Sequence, residues 1–178
     1  MAESALIVRV PEAEALVGPI RDRFDSMAAL GVPAHVTVLY PFIPPERIST
    51  EDVKHIGRIA GATASFRFRL VAAKLFQDAL YLDVEPARLF AALTEDVARA
   101  FPQYPPYEGR FPTIIPHLTV ARGSELLLQA LRQQIADDAR LREGIAATCN
   151  ALVLIENSAG NWRVQQTFQL AGGAQDAA

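Results

Sequence analysis

The chain has 178 residues, and hydrophobic residues make up 51% of it, which is enough apolar material to enclose one core. Charged residues make up 21%, and no apolar run approaches the length of a membrane-spanning helix, so the composition is that of a soluble globular protein. The net charge of -3 argues against broad electrostatic attachment to nucleic acid, which depends on many lysines and arginines acting together. Any contact with phosphate groups must therefore be local.

The N-terminal residues, MAES before ALIVRV, lack the basic start and the long apolar stretch of a signal peptide, so we expect a cytoplasmic protein. The single cysteine, Cys149, cannot form a disulfide within the chain. It lies in a predicted strand, TCNALVL, where we expect a small buried hydrophobic residue.

The first part of the chain predicts a strand, a helix and a second strand. The first strand covers residues 5–10 and ends at Pro11. A helix is predicted to begin near Pro19, where a missing amide hydrogen is tolerated, and to stop at Gly31. The segment HVTVLY is the next strand.

The middle of the chain continues with a helix and two strands. Ser49 or Thr50 caps a helix over residues 50–61. The segment FRFRLVAAKLFQDALYLDVEP then forms two strands joined by a turn near Gln77 and Asp78.

The last part of the chain begins with an amphipathic helix after Pro86, followed by a loop rich in proline and aromatic residues. The strand HLTVAR comes next, and Ser124 caps the helix that follows it. TCNALVLIE and WRVQQTFQL form a final pair of strands.

The predicted element order is duplicated. Each half runs strand, helix, a His-apolar-Thr-apolar strand, helix, and then a hairpin whose last strand completes the set. Such duplication predicts two similar lobes facing each other across a groove, with equivalent residues meeting near a local two-fold axis. We expect one domain of two duplicated lobes over residues 1–171 and a flexible tail over residues 172–178.

The two matching strands carry the candidate catalytic residues. In HVTV, His35 and Thr37 point to one side of the strand while the valines point to the other. His117 and Thr119 repeat the pattern in HLTV, and the two-fold axis would bring the two histidines together. A given histidine is followed by apolar, Thr, apolar with a probability of roughly one in a hundred, so two such motifs are rare by accident.

For either motif alone, the favoured interpretation is a partly buried, hydrogen-bonded histidine beside a threonine of high β-propensity. The matched pair at equivalent places favours a functional site over that interpretation. His55 has no threonine partner and no counterpart in the other half, and we interpret it as a surface residue.

The segments GVPAHVTVLYPF and PHLTVAR resemble the two motifs of the two-histidine phosphoesterase superfamily, in particular its 2′-5′ RNA ligase-like branch. The resemblance in element order covers nearly the whole chain, although only the two short motifs are specific. It implies an α+β fold of two pseudo-symmetric lobes, each an antiparallel sheet with outer helices, flanking a central cleft. It also implies that His35 and His117 touch a scissile phosphate, without a metal or cofactor. By the same resemblance, Thr37 and Thr119 bind the phosphate oxygens.

The chemistry of imidazole agrees with that family's reaction. Because its ordinary pKa is about 6.5, one histidine can be neutral and accept a proton while the other is charged and donates one. In hydrolysis of a 2′,3′-cyclic phosphate, the neutral ring activates water and the cationic ring protonates the departing ribose oxygen. The same pair run in reverse would ligate. The sequence does not distinguish which histidine is the base and which is the acid.

Several other residues have two open interpretations. Arg122 closes the second motif and either binds phosphate or is a surface charge at the end of a strand. Tyr40, Phe42, Phe111 and Trp162 flank the strands, and packing is favoured over base stacking for each of them.

We therefore expect a metal-independent phosphoesterase that acts on cyclic or 2′-5′ phosphodiester bonds of nucleotides or RNA ends, reversible as a 2′-5′ RNA ligase. No membrane and no obligate protein partner is indicated. The alternative is a non-catalytic protein that binds a nucleotide or an RNA end. A metal enzyme and a serine hydrolase are disfavoured, since the chain has no Cys-x-x-Cys, His-Glu-x-x-His or Gly-x-Ser-x-Gly motif.

Overall fold

The computed structural model describes residues 2–76, 78–110 and 113–172. The strands in this part of the chain are β1 (Ser4–Arg9), β2 (His35–Leu39), β3 (Phe66–Leu75), β4 (Ala79–Glu85), β5 (His117–Arg122), β6 (Ile145–Cys149), β7 (Ala151–Ala159) and β8 (Asn161–Gln169). The α-helices are α1 (Glu14–Phe24), α2 (Ser26–Ala29), α3 (Thr50–Ala62), α4 (Ala87–Ala100), α5 (Glu125–Ala136) and α6 (Ala139–Glu143). Short 3-10 segments cover Pro11–Ala13, Pro45–Arg47 and Pro106–Gly109.

The strands form two antiparallel sheets of four strands each. The first sheet has the order β2-β1-β7-β8 and the second has the order β5-β4-β3-β6. The two strands with the histidine motifs, β2 and β5, are each the edge strand of their sheet, and they lie next to each other at the centre. The predicted α+β fold with two antiparallel lobes flanking a cleft is confirmed.

One hydrophobic core joins the two lobes. Helix α1 contacts β5 and helix α4 contacts β2, so each of these helices packs behind the motif strand of the other sheet. The apolar residues that alternate with the motif histidines and threonines, Val36, Val38, Leu118 and Val120, are all buried in this core. The period of two in a strand therefore anchors one face of each motif and leaves the other face open to the groove.

Several predicted boundaries are confirmed. Ser49 caps α3, with a reciprocal pair of hydrogen bonds to Asp52 in which its Oγ accepts from the Asp52 amide at 3.1 Å. The Ser124 hydroxyl likewise caps α5. Cys149 is buried as expected, and burial raises the pKa of its thiol to about 12.

The helix predicted to begin near Pro19 begins five residues earlier, at Glu14. Proline inside a helix leaves the carbonyl four residues before it without an intrahelical donor, which normally disfavours that position. Here the carbonyl of Ala15 accepts a hydrogen bond from Arg140 Nη1 at 2.8 Å. The Arg140 side chain thus offsets the energetic cost of Pro19 inside the helix, the cost on which the predicted helix start was based. The helix also stops before Gly31, because Asp25 is extended and caps the separate helix α2.

The segment TCNALVLIE is two strands rather than one. Its first two residues belong to β6, which ends at Cys149, and the residues from Ala151 onward belong to β7. These two strands lie in different sheets. The chain therefore crosses between lobes at Asn150, so that each sheet is completed by strands from distant parts of the sequence. The predicted turn residue Gln77 and the tail residues 173–178 lie outside the described residues.

Among the described residues, no helix has the length and apolar character needed to cross a bilayer.

A buried ion pair holds the segment that precedes β2. Arg21 and Asp25 are 2% and 4% exposed, and the Arg21 guanidinium donates to Asp25 Oδ2 at 2.9 Å and to the carbonyl of Val32 at 3.0 Å. Asp25 also accepts from the amide of Met27 at 3.1 Å. Both charges are therefore compensated inside the protein.

Replacing Asp25 by Ala is expected to lower the free energy of unfolding by about 3 kcal/mol, because it leaves the Arg21 charge buried without its partner. Urea unfolding measures this change. Asp22→Ala is the matched control, since Asp22 is exposed on the same helix and its removal should change stability by less than about 0.5 kcal/mol. Equal stability of the two variants would contradict the structural role given to the pair.

Candidate active site

The groove between β2 and β5 contains both predicted histidines and both predicted threonines. His35, Thr37, His117 and Thr119 are all partly exposed, whereas the residues between them are buried. The charge of His117 acts on His35, which agrees with their position on neighbouring strands. The structure thus brings the two motifs together.

Each imidazole ring is held by its own hydrogen bond to a backbone carbonyl, and the two bonds are of the same kind. His35 Nδ1 lies 2.8 Å from the carbonyl oxygen of Pro33, and His117 Nδ1 lies 2.6 Å from the carbonyl oxygen of Ile115. A carbonyl can only accept, so Nδ1 must carry the hydrogen in each ring. In the neutral form this leaves Nε2 of each ring as a base, and in the charged form it leaves Nε2 as an acid.

The protein makes both histidines more acidic than usual. Burial lowers the pKa of His35 to about 4, and the positive charges of Arg21 and His117 act in the same direction. Burial also lowers the pKa of His117, and Arg122 acts in the same direction. In both rings the carbonyl hydrogen bond acts in the opposite direction, since it favours the cation. A neutral imidazole is therefore the resting form of each ring at neutral pH.

Matching β-bulges extend the symmetry between the motifs. The register of β1 with β2 shifts between Leu6 and Ile7, and the register of β4 with β5 shifts between Leu80 and Tyr81. A bulge inserts one residue and so changes which side chains share a face. After the second bulge, Arg122 lies opposite Ala79 and reaches the groove side of its sheet. Its guanidinium also pairs with Asp78 at 3.1 Å.

His117 has polar and aromatic neighbours that the sequence motifs do not indicate. Asp83 lies directly opposite His117 in the β4–β5 ladder, so the two side chains share a face, and the Asp83 charge raises the pKa of His117. The ring of Phe76 stacks on Tyr81 with centroids 4.1 Å apart, and both rings contact His117 at 5.1 and 5.2 Å. In LYLDVE, aliphatic residues alternate with Tyr81, Asp83 and Glu85, and this pattern could have indicated that Tyr81 and Asp83 share one face of β4.

The backbone before His35 is fixed from two sides. The carbonyl of Ala34 accepts from the amide of Val10 at 2.8 Å, and the amide of Ala34 donates to Glu14 Oε1 at 2.7 Å. The buried pair of Arg21 and Asp25 acts on His35 electrostatically. The backbone that carries His35 is therefore held on both sides by well-anchored parts of the fold.

Tyr107 also reaches this groove and was not predicted. It lies in the loop between α4 and β5, and its side chain shares a hydrogen bond with Thr37 and senses the charge of Arg122. Its backbone amide donates to the carbonyl of Tyr40, at the end of β2, at 2.7 Å. Nothing in the local sequence distinguishes Tyr107 from the other aromatic residues of this loop.

The aromatic residues that flank the motifs have packing roles where the structure describes them. Phe42 is buried in the main core, and Trp162 is buried in a second cluster with Ile7, Val153 and other apolar residues. Tyr40 is half-buried beside Trp162. Phe111 lies outside the described residues.

His55 lies on α3, where its ring is 5.1 Å from that of Phe101, so it is half-buried rather than a surface residue. Among the described residues, no group of three or more His, Cys, Asp or Glu side chains is arranged to hold a metal ion.

Comparison with known proteins identifies the family. The model of the 2′-5′ RNA ligase superfamily matches residues 9–161. The chain belongs to this superfamily. The resemblance carried by the two histidine motifs is therefore confirmed.

Two similar relatives carry phosphoesterase names. "Putative phosphoesterase GK0864" of Geobacillus kaustophilus is 29% identical over 159 residues, which is 85% of this chain and 86% of the relative. "Putative phosphoesterase Bcer98_0945" of Bacillus cytotoxicus is 28% identical over 163 residues, or 88% and 89% of the two chains. Family and relatives together support a phosphoesterase-type enzyme.

Solved structures share the fold. TT0787 of Thermus thermophilus has a TM-score of 0.60 and 19% identity, over 97% of this chain and 100% of that one. LigT of E. coli complexed with NADP+ has a TM-score of 0.59 and 16% identity, over 95% and 97%. At this level of identity the likeness establishes the fold.

The hydrogen bonds to Pro33 and Ile115 predict that the neutral form of each histidine carries its hydrogen on Nδ1. The pKa of His35, lowered to about 4, predicts that this ring is neutral at pH 6. An ordinary imidazole, with a pKa of about 6.5, would be mostly protonated at that pH. Long-range ¹H–¹⁵N correlation spectra distinguish the tautomers, and His55→Gln assigns the third ring. Finding the hydrogen on Nε2 of either ring would contradict the geometry described here.

Proposed function

We propose that this protein hydrolyses 2′,3′-cyclic phosphates or 2′-5′ phosphodiester bonds of nucleotides or RNA ends, without a metal. The observation that carries the proposal is the pair of equivalent imidazoles, each held through Nδ1 by the carbonyl two residues before it. Two Nε2 atoms on adjacent strands suit a reaction that needs one proton acceptor and one proton donor around a single phosphorus atom.

His35 is proposed as the general base and His117 as the general acid. His35 has the pKa lowered to about 4, so it is ready to accept a proton. His117 lies opposite Asp83, whose charge favours its protonated form. The anionic phosphate of a bound substrate further stabilises an imidazolium. Different surroundings thus separate two chemically identical groups.

In the proposed step, His35 Nε2 takes a proton from water as the water oxygen forms a bond to phosphorus. The bond from phosphorus to one ribose oxygen breaks, and His117 Nε2 gives that oxygen its proton. The product is a phosphate monoester on the neighbouring ribose oxygen. Ligation uses the same groups in the same roles, with the 5′-hydroxyl of a second nucleotide in place of water: it loses its proton to His35 Nε2 as it bonds to phosphorus, and the departing ribose oxygen takes a proton from His117 Nε2.

Thr37 and Thr119 are proposed to donate hydrogen bonds to the non-bridging oxygens, where negative charge increases in the transition state. Arg122, on the groove side of β5, supplies positive charge near the same oxygens.

The names of related proteins support this assignment. The relatives from Geobacillus kaustophilus and Bacillus cytotoxicus carry phosphoesterase names and match over most of their length. LigT has been crystallised with 3′-AMP, in a structure with a TM-score of 0.56 and 16% identity to this chain. A phosphate monoester on a ribose oxygen is the type of product that the proposed hydrolysis forms.

Replacing either histidine should abolish catalysis while the fold remains. His35→Ala and His117→Ala are each expected to lower kcat/KM for 2′,3′-cyclic nucleotides by at least about 100-fold, because each removes one proton-transfer group. Product formation is followed by chromatography, and circular dichroism checks folding. A rate close to that of the wild type in either variant would reject the mechanism.

His55→Gln is the matched control, because it changes the third histidine without touching the groove and should keep full activity. Activity should also persist in EDTA. Tight binding of cyclic nucleotides by the wild type without any product would instead favour a non-catalytic nucleotide-binding protein.

The dependence of kcat/KM on pH should be bell-shaped with its maximum on the acid side of neutrality. The rate falls at low pH as His35 becomes protonated near pH 4, and it falls at higher pH as His117, whose pKa is also lowered, loses its proton. Asp83→Asn should move only the alkaline limb, and to lower pH, because Asp83 favours the charged form of His117. A shift of the acid limb instead would reverse the two assignments.

A further inference from the structure

Tyr107 occupies a position between the two motifs. It belongs to the loop before β5, yet its backbone amide donates to the carbonyl of Tyr40 beyond β2, at 2.7 Å. Its side chain shares a hydrogen bond with Thr37 and lies within reach of the charge of Arg122. One residue therefore links the threonine of the first motif with the arginine that ends the second.

The backbone at Tyr107 is held in an unusual conformation. Tyr107 and Glu108 have φ values of 50° and 56°, and they are the two non-glycine residues with positive φ in the part of the chain that the structure describes. Side chains disfavour this left-handed region, and residues forced into it concentrate at functional sites. The hydrogen bond to Tyr40 ties this turn to the first lobe, which restricts the movement of Tyr107 out of the groove.

The chemistry of this hydroxyl suits an anion. The Tyr107 phenol keeps its proton at neutral pH, as an ordinary tyrosine does, and burial raises its pKa further, so the group is a hydrogen-bond donor. Its neighbours are a second hydroxyl and a guanidinium, the groups that commonly bind phosphate oxygens.

We propose that Tyr107 is a substrate-binding residue. Its hydroxyl and that of Thr37, which share a hydrogen bond in the free protein, both turn to donate to one non-bridging phosphate oxygen when substrate binds. Thr37 and Tyr107 then offer two hydroxyls to one oxygen, whereas Thr119 binds the other. This inference rests on the proposed function, since it concerns the same phosphate. It adds a contact from a loop that neither motif contains.

Tyr107→Phe tests the proposal because it removes the hydroxyl and keeps the ring. We expect kcat/KM for a 2′,3′-cyclic nucleotide to fall about tenfold, with an unchanged melting temperature. Tyr104→Phe is the matched control, since it removes a hydroxyl from the same loop where the ring packs against Phe42, 5.8 Å away, and it should keep full activity.

The two diastereomers of a 2′,3′-cyclic phosphorothioate identify the oxygen involved. Sulfur accepts hydrogen bonds poorly, so replacing the oxygen that Tyr107 contacts should slow the wild type for one diastereomer. That preference should shrink in Tyr107→Phe and in Thr37→Val, and it should grow in Thr119→Val. A Tyr107→Phe variant with the diastereomer ratio and kcat/KM of the wild type would overturn the proposal.

Binding measurements separate this inference from the proposed function. If the wild type does not turn over any cyclic nucleotide, the proposed function fails, and titration with inorganic phosphate tests Tyr107 by itself. Weaker phosphate binding by Tyr107→Phe, by about tenfold, with unchanged binding by Tyr104→Phe, supports the contact. Equal binding by the wild type and Tyr107→Phe, or binding by neither, rejects it.

Discussion

The hydrogen bond from each histidine Nδ1 to the carbonyl two residues before it is the constraint on which the site depends. It sets the tautomer, it fixes the plane of the ring, and it leaves Nε2 outside that bond. The same bond in both lobes requires the same backbone path into β2 and into β5, which the buried valines and leucines of those strands hold against the core. The reactive geometry is thus a consequence of two short strands anchored on one side.

The lobes are alike in backbone and different in surroundings, and that difference permits two roles. His35 is near the buried pair of Arg21 and Asp25, and burial is the main influence on its pKa. His117 faces Asp83 and contacts an aromatic pair on its own sheet. Paired groups with different environments are the usual basis for separating an acid from a base at one pH.

The site could be predicted from sequence as far as local periodicity reaches. Alternation within HVTV and HLTV places the histidine and threonine on one face whatever the strand pairs with, and the duplicated order indicated two lobes. The neighbours of His117 depend on the register between β4 and β5, which is a contact between distant segments that no local pattern specifies. Tyr107 depends on a loop conformation that non-glycine residues rarely adopt. The start of α1 depended on Arg140, more than a hundred residues away in the chain.

The exchange of elements between lobes determines how the protein can adapt to a substrate. After the first motif strand, β2, the chain passes to the second sheet at β3, and it returns to the first sheet at β7. Helices α1 and α4 each pack behind the motif strand of the other lobe. Because both lobes share one core, closing or opening the groove by moving one lobe would disrupt buried packing on both sides. Loops beside the groove can vary without disturbing this core, and the loop before β5 is tied to the chain just beyond the first motif strand by the bond from the Tyr107 amide to the Tyr40 carbonyl.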